Sequence, residues 1–370
     1  MLLKNATILN ANFTLEKADI LVENGKIAQI GQNLSHENTV DYSGKTIVPG
    51  FIDIHIHGSA GSDTCDGTPE ALETISSFLK TKGVTSFCPT TMSIEMDKLY
   101  SVMKNIGKCK DAVTGAKIVG VNMEGPYFSP AKAGAQNPDT MHPASSEEVK
   151  KCNELCGNIL KIVDMCPTLE GSFDFISENK DKYALSIAHT AADYDCAKDA
   201  FSAGMRHTTH LYNAMSPFTH RDPGVVGAVY DSNATAELIC DGIHIHESVI
   251  RTTFKIMSER LVLISDSMAA GGMPDGEYEL GGAPVIVKDG AARILSGALA
   301  GSTANMHQCV KNCIDFGISL ETAVKSATLI PAKVIGLENE VGSIEVGKKA
   351  DLVVLDKDFA IVDTYINGAL

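Results

Sequence analysis

The stretch Phe51-Ile52-Asp53-Ile54-His55-Ile56-His57 sets the reading of the chain. Alternate residues of a β-strand share a face, so Asp53, His55 and His57 point together. Two imidazoles on one face at a strand end can chelate a divalent ion. The competing reading is a pair of buried, hydrogen-bonded histidines. Seven further apolar segments follow, at 84–90, 117–123, 160–166, 183–188, 206–210, 235–240 and 261–265. Helix-compatible stretches separate them, among them 69–82, 193–203 and 247–259. Eight β-then-α units in a row predict an α/β chain, a (β/α)8 TIM-like barrel. The runner-up is an open doubly wound sheet; no G-x-G-x-x-G follows the first strand, which counts against it.

The two ends of the chain read differently. Residues 2–9, 19–23 and 26–30 are short strand-like runs, with Asn24-Gly25 as a hairpin turn. Residues 342–345, 351–355 and 361–366 repeat the pattern. Neither end can bury a sheet alone. They are expected to combine into one small β-domain, residues 1–48 plus 340–370, beside a barrel at 49–339. A Gly-rich insertion, 268–300, reads as a hairpin after the eighth strand. Helices are expected near 303–316 and 320–336.

Active sites of such barrels lie at the C-terminal ends of the strands. Glu124 closes the third segment, His189 the fifth, His210 the sixth and Asp266 the eighth, and Asp241-Gly242-Ile243-His244 follows the seventh. Singly, each has an ordinary reading as a surface carboxylate, a cap or a buried histidine. Jointly, they converge on one rim and predict a metal site. Imidazoles with a carboxylate suit Zn²⁺ or Fe²⁺ and need no thiolate. Such an ion brings the pKa of water down to about 7. Asp266 is the candidate to take the water proton and deliver it to a leaving nitrogen. Arg221, in the polar loop Thr219-His220-Arg221-Asp222, is the natural partner for a phosphate. Leu299-Ala300-Gly301-Ser302 leads into a helix, where backbone amides can hold an oxygen-rich ligand.

The net charge of -15 on 370 residues argues against nucleic acid or an anionic membrane as partner. A composition of 44% hydrophobic and 21% charged residues is that of a globular chain with a large core. No apolar run approaches a membrane span, and Met1–Ala6 lacks the pattern of a secretory leader. The ten cysteines include no C-x-x-C pair. Cys152/Cys156 and Cys309/Cys313 are spaced to share helix faces, and all read as buried thiols in a reducing cytoplasm.

With these residues in place, the chain resembles the N-acetylglucosamine-6-phosphate deacetylase family of the amidohydrolase superfamily. The resemblance is carried by Pro49–Gly58, Met123-Glu124-Gly125-Pro126, Ala188-His189-Thr190 and Thr209-His210-Leu211-Tyr212-Asn213-Ala214-Met215. Asp241–His244, Ser265-Asp266, Leu299–Ser302 and the tail Gly342–Leu352 also carry it. It implies a (β/α)8 barrel with a small β-sandwich built from both termini. It implies that Glu124, His189 and His210 hold the principal metal and that Asp266 is the acid/base. Ala135, Asn213, Ala214, Arg221, Asp241, Gly242, Ile243, His244, Leu299, Ala300 and Gly301 are implied sugar-phosphate contacts. Members form homodimers in which the arginine reaches the neighbouring site. Some members lack H-x-H and use one metal; with His55 and His57 present, the resemblance implies one or two ions, Zn or Fe, per subunit. Gln136 stands where the family usually has a histidine thought to polarise the amide carbonyl. Gln donates a hydrogen bond but carries no charge, and a second ion can supply the missing positive charge. The galactosamine epimer as substrate, a dihydroorotase-like or dipeptidase-like activity, and a non-catalytic scaffold are the alternatives. The last requires lost ligands, and this chain keeps them.

Overall fold

The computed structural model describes all 370 residues, Met1–Leu370. Through the middle of the chain, parallel strands alternate with helices in a mixed α/β arrangement. The strands are β1 (Phe51–Ile56), β2 (Val84–Pro89), β3 (Val121–Glu124), β4 (Leu160–Met165), β5 (Ala184–Ile187), β6 (His207–Thr208), β7 (Ala236–Ile239) and β8 (Leu261–Ile264). Parallel ladders join β1 to β2, β3 through β4 and β5 to β6, and β7 to β8. Single backbone bonds continue the order across the gaps. Thr91 N donates to Asn122 O (3.1 Å), Leu211 N to Glu237 O (2.9 Å) and Asp266 N to His55 O (3.0 Å). The eighth strand therefore lies beside the first. Nearly every strand residue is buried, as expected where helices cover a parallel sheet.

The floor beneath these strands has a specific cause. The expected single helix at 320–336 is two, Leu320–Ser326 and Leu329–Val334. Pro331 has no N–H, so the Ala327 carbonyl four residues earlier has no helical donor. It accepts from Ile52 N at 2.9 Å instead, fastening the junction between the two helices to the start of β1. Ile330, Ile335 and Val341 then join Ile52, Ile54, Val262 and Ile264 in one apolar cluster.

Both ends of the chain share one seven-stranded sheet. Its order is Ile361–Tyr365, Leu352–Leu355, Thr46–Pro49, Leu2–Leu9, Leu15–Glu23 and Lys26–Gly31, with Thr39–Asp41 also on Leu2–Leu9. The Asn24-Gly25 turn has φ of 50° and 76°, the two positive values that a tight primed turn requires. Leu3, Ile8, Ile20, Ile47, Leu352 and Tyr365 form the core of this sheet. Three expectations need correction. Residues 342–345 are not a strand; Ile344 makes only an isolated bridge with Asn10. The segment 117–123 is broken at Gly120, where a Cβ would stand 2.4 Å from Lys161 Cγ. The insertion after β8 is a three-stranded meander, Gly276–Leu280, Ala283–Lys288 and Ala291–Ile294, rather than a hairpin.

Leu352 is buried where the C-terminal strand meets the N-terminal ones. Leu352→Ala is expected to lower unfolding stability by about 2–5 kcal/mol, read by chemical denaturation. A loss below roughly 0.5 kcal/mol would mean that the terminal sheet is not packed as described.

Candidate metal centre and active site

Glu124, at the end of β3, is the hub of the strand ends. Its Oε1 lies 3.2 Å from His189 Nε2, 3.1 Å from His210 Nε2 and 3.7 Å from His55 Nε2. Its Oε2 lies 3.3 Å from His57 Nε2. Asp266 Oδ1 stands 3.5 Å from His55 Nε2 and 3.3 Å from His57 Nε2. All six residues are buried. Two triads have the spacing to hold an ion each: Glu124, His189 and His210, and His55, His57 and Asp266.

The donor set fits divalent metal on three grounds. The His189 and His210 Nε2 atoms face each other at 3.2 Å. Two ring nitrogens brought this close aim at one point, as two ligands of a single ion do. Ligands at the usual Zn–N distance of about 2.0–2.1 Å in a tetrahedron stand roughly 3.3 Å apart, which matches the separations observed. His55 Nε2, fully buried, has no hydrogen-bond partner. Its ring is turned by Nδ1–H, which donates to Glu237 Oε2 at 2.8 Å. His189 Nδ1–H likewise donates to the Lys132 carbonyl at 2.9 Å, leaving its Nε2 as the free donor atom. Such outer partners are the usual device for orienting metal-binding imidazoles.

The backbone at the rim is held away from ordinary strand geometry. His189, His210 and Asp266 have φ of 41°, 28° and 47°. Non-glycine residues there cost of order 1–3 kcal/mol each and concentrate at functional sites. Neighbours hold them in place: Ser129 N donates to His189 O (3.1 Å) and Ser302 N to Asp266 O (2.7 Å). His210 N donates to Glu237 Oε2 (3.2 Å).

Burial alone pushes the Glu124 carboxyl up, but the His189 and His210 imidazoles against its Oε1, with His55 and His57 nearby, hold it well below the usual range. Asp266 is lowered too: burial opposes ionisation, while the His57 hydrogen bond and the surrounding imidazoles favour it. Asp266 is thus kept as a carboxylate, the form a proton acceptor needs.

A cavity of about 360 Å³ opens onto this centre, within the range of small-molecule sites. Of the residues expected at the substrate, Ala135, Gln136, Asn213, Ala214, His244, Leu299 and Gly301 line it. Asp241, Gly242, Ile243 and Ala300 do not. Asp241 acts through His244, whose Nδ1 it holds at 2.7 Å. Ile243 is exposed and Ala300 buried. Arg221 is exposed outside the cavity of its own chain, with Nη1 2.9 Å from His220 Nε2. Gln136 is committed elsewhere than expected. Its Oε1 accepts from Ser93 N (2.7 Å), which fixes the amide orientation, and its Nε2 donates to Glu124 Oε2 (2.5 Å). These contacts tie Gln136 to Glu124 at the edge of the cavity.

Asp53 lies on the predicted face but below the centre, bonded to Ser265 Oγ (2.5 Å). Burial, only partly offset by that bond, pushes its carboxyl up to about 7. Three groups were not anticipated. Glu237 and His207 sit beneath the ligands, 3.2 Å apart; an acid inside the apolar run Ala236–Ile239 was the available signal. Arg293, on the last strand of the meander, lines the cavity; no local pattern marks it.

The family model described as Amidohydrolase family matches residues 46–370. The chain belongs to the amidohydrolase family. It is 37% identical to an N-acetylglucosamine-6-phosphate deacetylase of Bacillus subtilis, covering 100% of this chain and 96% of that one. It is 35% identical to an N-acetylgalactosamine-6-phosphate deacetylase of Escherichia coli O157:H7, over 88% of this chain and 87% of that one. A point mutant of the Mycobacterium smegmatis N-acetyl-D-glucosamine-6-phosphate deacetylase, solved in complex with N-acetyl-D-glucosamine-6-phosphate, superposes with a TM-score of 0.94. The two are 29% identical, over 100% of this chain and 98% of that one. No helix of this amidohydrolase is long and apolar enough to cross a membrane.

Glu237→Gln is expected to weaken binding of the ion held through His55 by about 10–100-fold, the usual cost of losing an outer partner. Competition with a chelator measures it, independently of turnover. An unchanged metal affinity would contradict the role given to Glu237.

Proposed function

We propose that this amidohydrolase cleaves the acetamide of N-acetylglucosamine 6-phosphate, giving glucosamine 6-phosphate and acetate. The observation that carries the proposal is the Glu124–His189–His210 triad with Asp266 beside it at the mouth of one cavity. The similarity to N-acetylglucosamine-6-phosphate deacetylases of other organisms supports the substrate. The galactosamine epimer is the second reading, favoured by the 35% identity to the relative named for it. The same reading takes the eight parallel strands as a closed (β/α)8 barrel over residues 49–339. It takes the terminal sheet as a small β-sandwich domain, residues 1–48 plus 340–370.

The chemistry follows from the site. A divalent ion, Zn or Fe, held by Glu124, His189 and His210 supplies Lewis-acid charge and a water acidic enough to react at neutral pH. His55 and His57, with Asp266, are the residues for a second ion. Asp266 accepts the proton of the attacking water as its oxygen bonds to the carbonyl carbon. It then delivers that proton to the nitrogen as the C–N bond breaks, so the amine leaves neutral. Gln136 keeps Glu124 in place throughout. At the far end of the cavity, His244 and Arg293 face the sugar phosphate. Arg221, pointing away from its own cavity, serves the site of a second subunit in a homodimer.

An amine-release assay on both acetylated sugar phosphates, their unphosphorylated forms and a few dipeptides tests the reading. Release from an acetylated amino-sugar 6-phosphate well above all the others is expected, with the gluco epimer preferred. Preference for a dipeptide would overturn it. Asp266→Asn should retain the ion held by Glu124, His189 and His210 and lose about 10²-fold or more in kcat, because an amide cannot shuttle the proton. Near-normal turnover in the metal-replete variant would refute the assignment.

Asp241 sets a pH response. Burial disfavours the His244 cation, but the Asp241 hydrogen bond and charge raise its pKa above the usual histidine value. The cation therefore persists to higher pH and is lost as pH rises. In Asp241→Asn, KM for the phosphorylated substrate should begin to rise at lower pH than in the wild type. Superimposable KM–pH profiles would exclude His244 as a phosphate contact.

A further inference from the structure

We propose a second anion site at the opposite end of the parallel strands, shaped for a small phosphorylated metabolite. A cavity of about 470 Å³ opens there among Lys161, Lys182, Arg206, Lys333, Asn233 and Thr235. Each residue sits at a strand start or on the helix that covers it. Lys161 is the second residue of β4, Lys182 lies just before β5, Arg206 precedes β6 and Thr235 precedes β7. Lys333 lies on the helix Leu329–Val334. The metal ligands occupy the other ends of the same strands, so this cavity is separate from the deacetylation site.

The charge arrangement is the decisive feature. The chain has 46 acidic and only 31 basic Lys and Arg residues, so partners for cations are in excess. Even so, no acidic side chain lines this cavity. None of its four cations makes an ion pair; the Lys and Arg ion pairs all involve other residues. Four like charges gathered without an ion-pair partner repel one another, with the Glu340 carboxylate near Lys161 outside the cavity lining. They create a local positive potential against the sign of the whole molecule. Arg offers a planar fork and Lys a compact charge to phosphate oxygens, and the Asn233 amide and Thr235 hydroxyl add neutral donors. The volume suits a small molecule rather than a lone ion. A phosphomonoester of a sugar meets these requirements: a dianion for the cations and hydroxyls for the amide and hydroxyl side chains.

Equilibrium dialysis of the metal-loaded enzyme with glucose 6-phosphate tests the site. This probe carries the phosphate but no acetamide to hydrolyse. Two binding classes per chain are expected in the wild type. Arg206→Glu/Lys333→Glu should lose one class, with its affinity falling at least tenfold, while kcat on the acetylated sugar phosphate is kept. Arg221→Ala should weaken only the other class. Inorganic phosphate should compete at the proposed site, and unphosphorylated glucose should not. If the charge-reversal variant fails to fold, Lys182→Gln/Arg206→Gln provides the milder version of the same comparison. A single binding class in the wild type, or identical binding by wild type and the charge-altered variants, would overturn the proposal. Because kcat is read in parallel, failure of this site is distinguishable from failure of the deacetylase reading.

Discussion

Everything around the strand ends answers to one electrostatic constraint: a buried carboxylate ringed by imidazole nitrogens. Glu124 meets the Nε2 atoms of four histidines within 3.1–3.7 Å, in a place nearly closed to water. The Nε2 atoms of His189 and His210 converge to 3.2 Å of each other beside it. The desolvation cost of such a cluster is large unless charge compensates it. The protein folds these groups together and aims them inward, so compensation by divalent metal is built into the fold.

Holding that cluster requires support from below and from the rim. Glu237 ties His55 Nδ1, His207 Nε2 and the His210 backbone into one network beneath the ligands. Burial alone would push its carboxyl up, but the His55 charge and the hydrogen bonds from His207 and His55 keep it below the usual range. The neighbouring Asp164 is pushed the other way, well above the usual carboxylate range, by burial first and by Glu237 second. The two buried acids are thus pushed in opposite directions. At the rim, the left-handed backbone of His189, His210 and Asp266 turns three side chains over the cavity where a continuing strand would carry them past it.

The sequence made the site legible wherever function follows a local period. His55 and His57 are visible through strand alternation, and Glu124, His189, His210 and Asp266 because each polar residue abruptly ends an apolar run. The same logic failed for Glu237, which sits inside such a run rather than at its end. Arg293 was invisible because its position depends on how a meander of exposed strands folds back over the cavity. Gln136 was visible as a departure, but its attachment to Glu124 depends on a loop without periodicity. In the fold, the strand at 206–210 shrank to His207–Thr208 because the chain turns left-handed at His210. The break at Ala327–Thr328 was readable from Pro331, although the acceptance of the Ile52 N–H by the freed carbonyl was not.

The most direct test of the account is to remove the metal with a chelator, verify its absence by elemental analysis, and titrate Zn²⁺ back while recording acetate release from N-acetylglucosamine 6-phosphate. The account predicts no turnover in the stripped protein and recovery in proportion to the ion bound, with Glu124→Gln failing to recover. Full turnover in rigorously metal-free protein would contradict it.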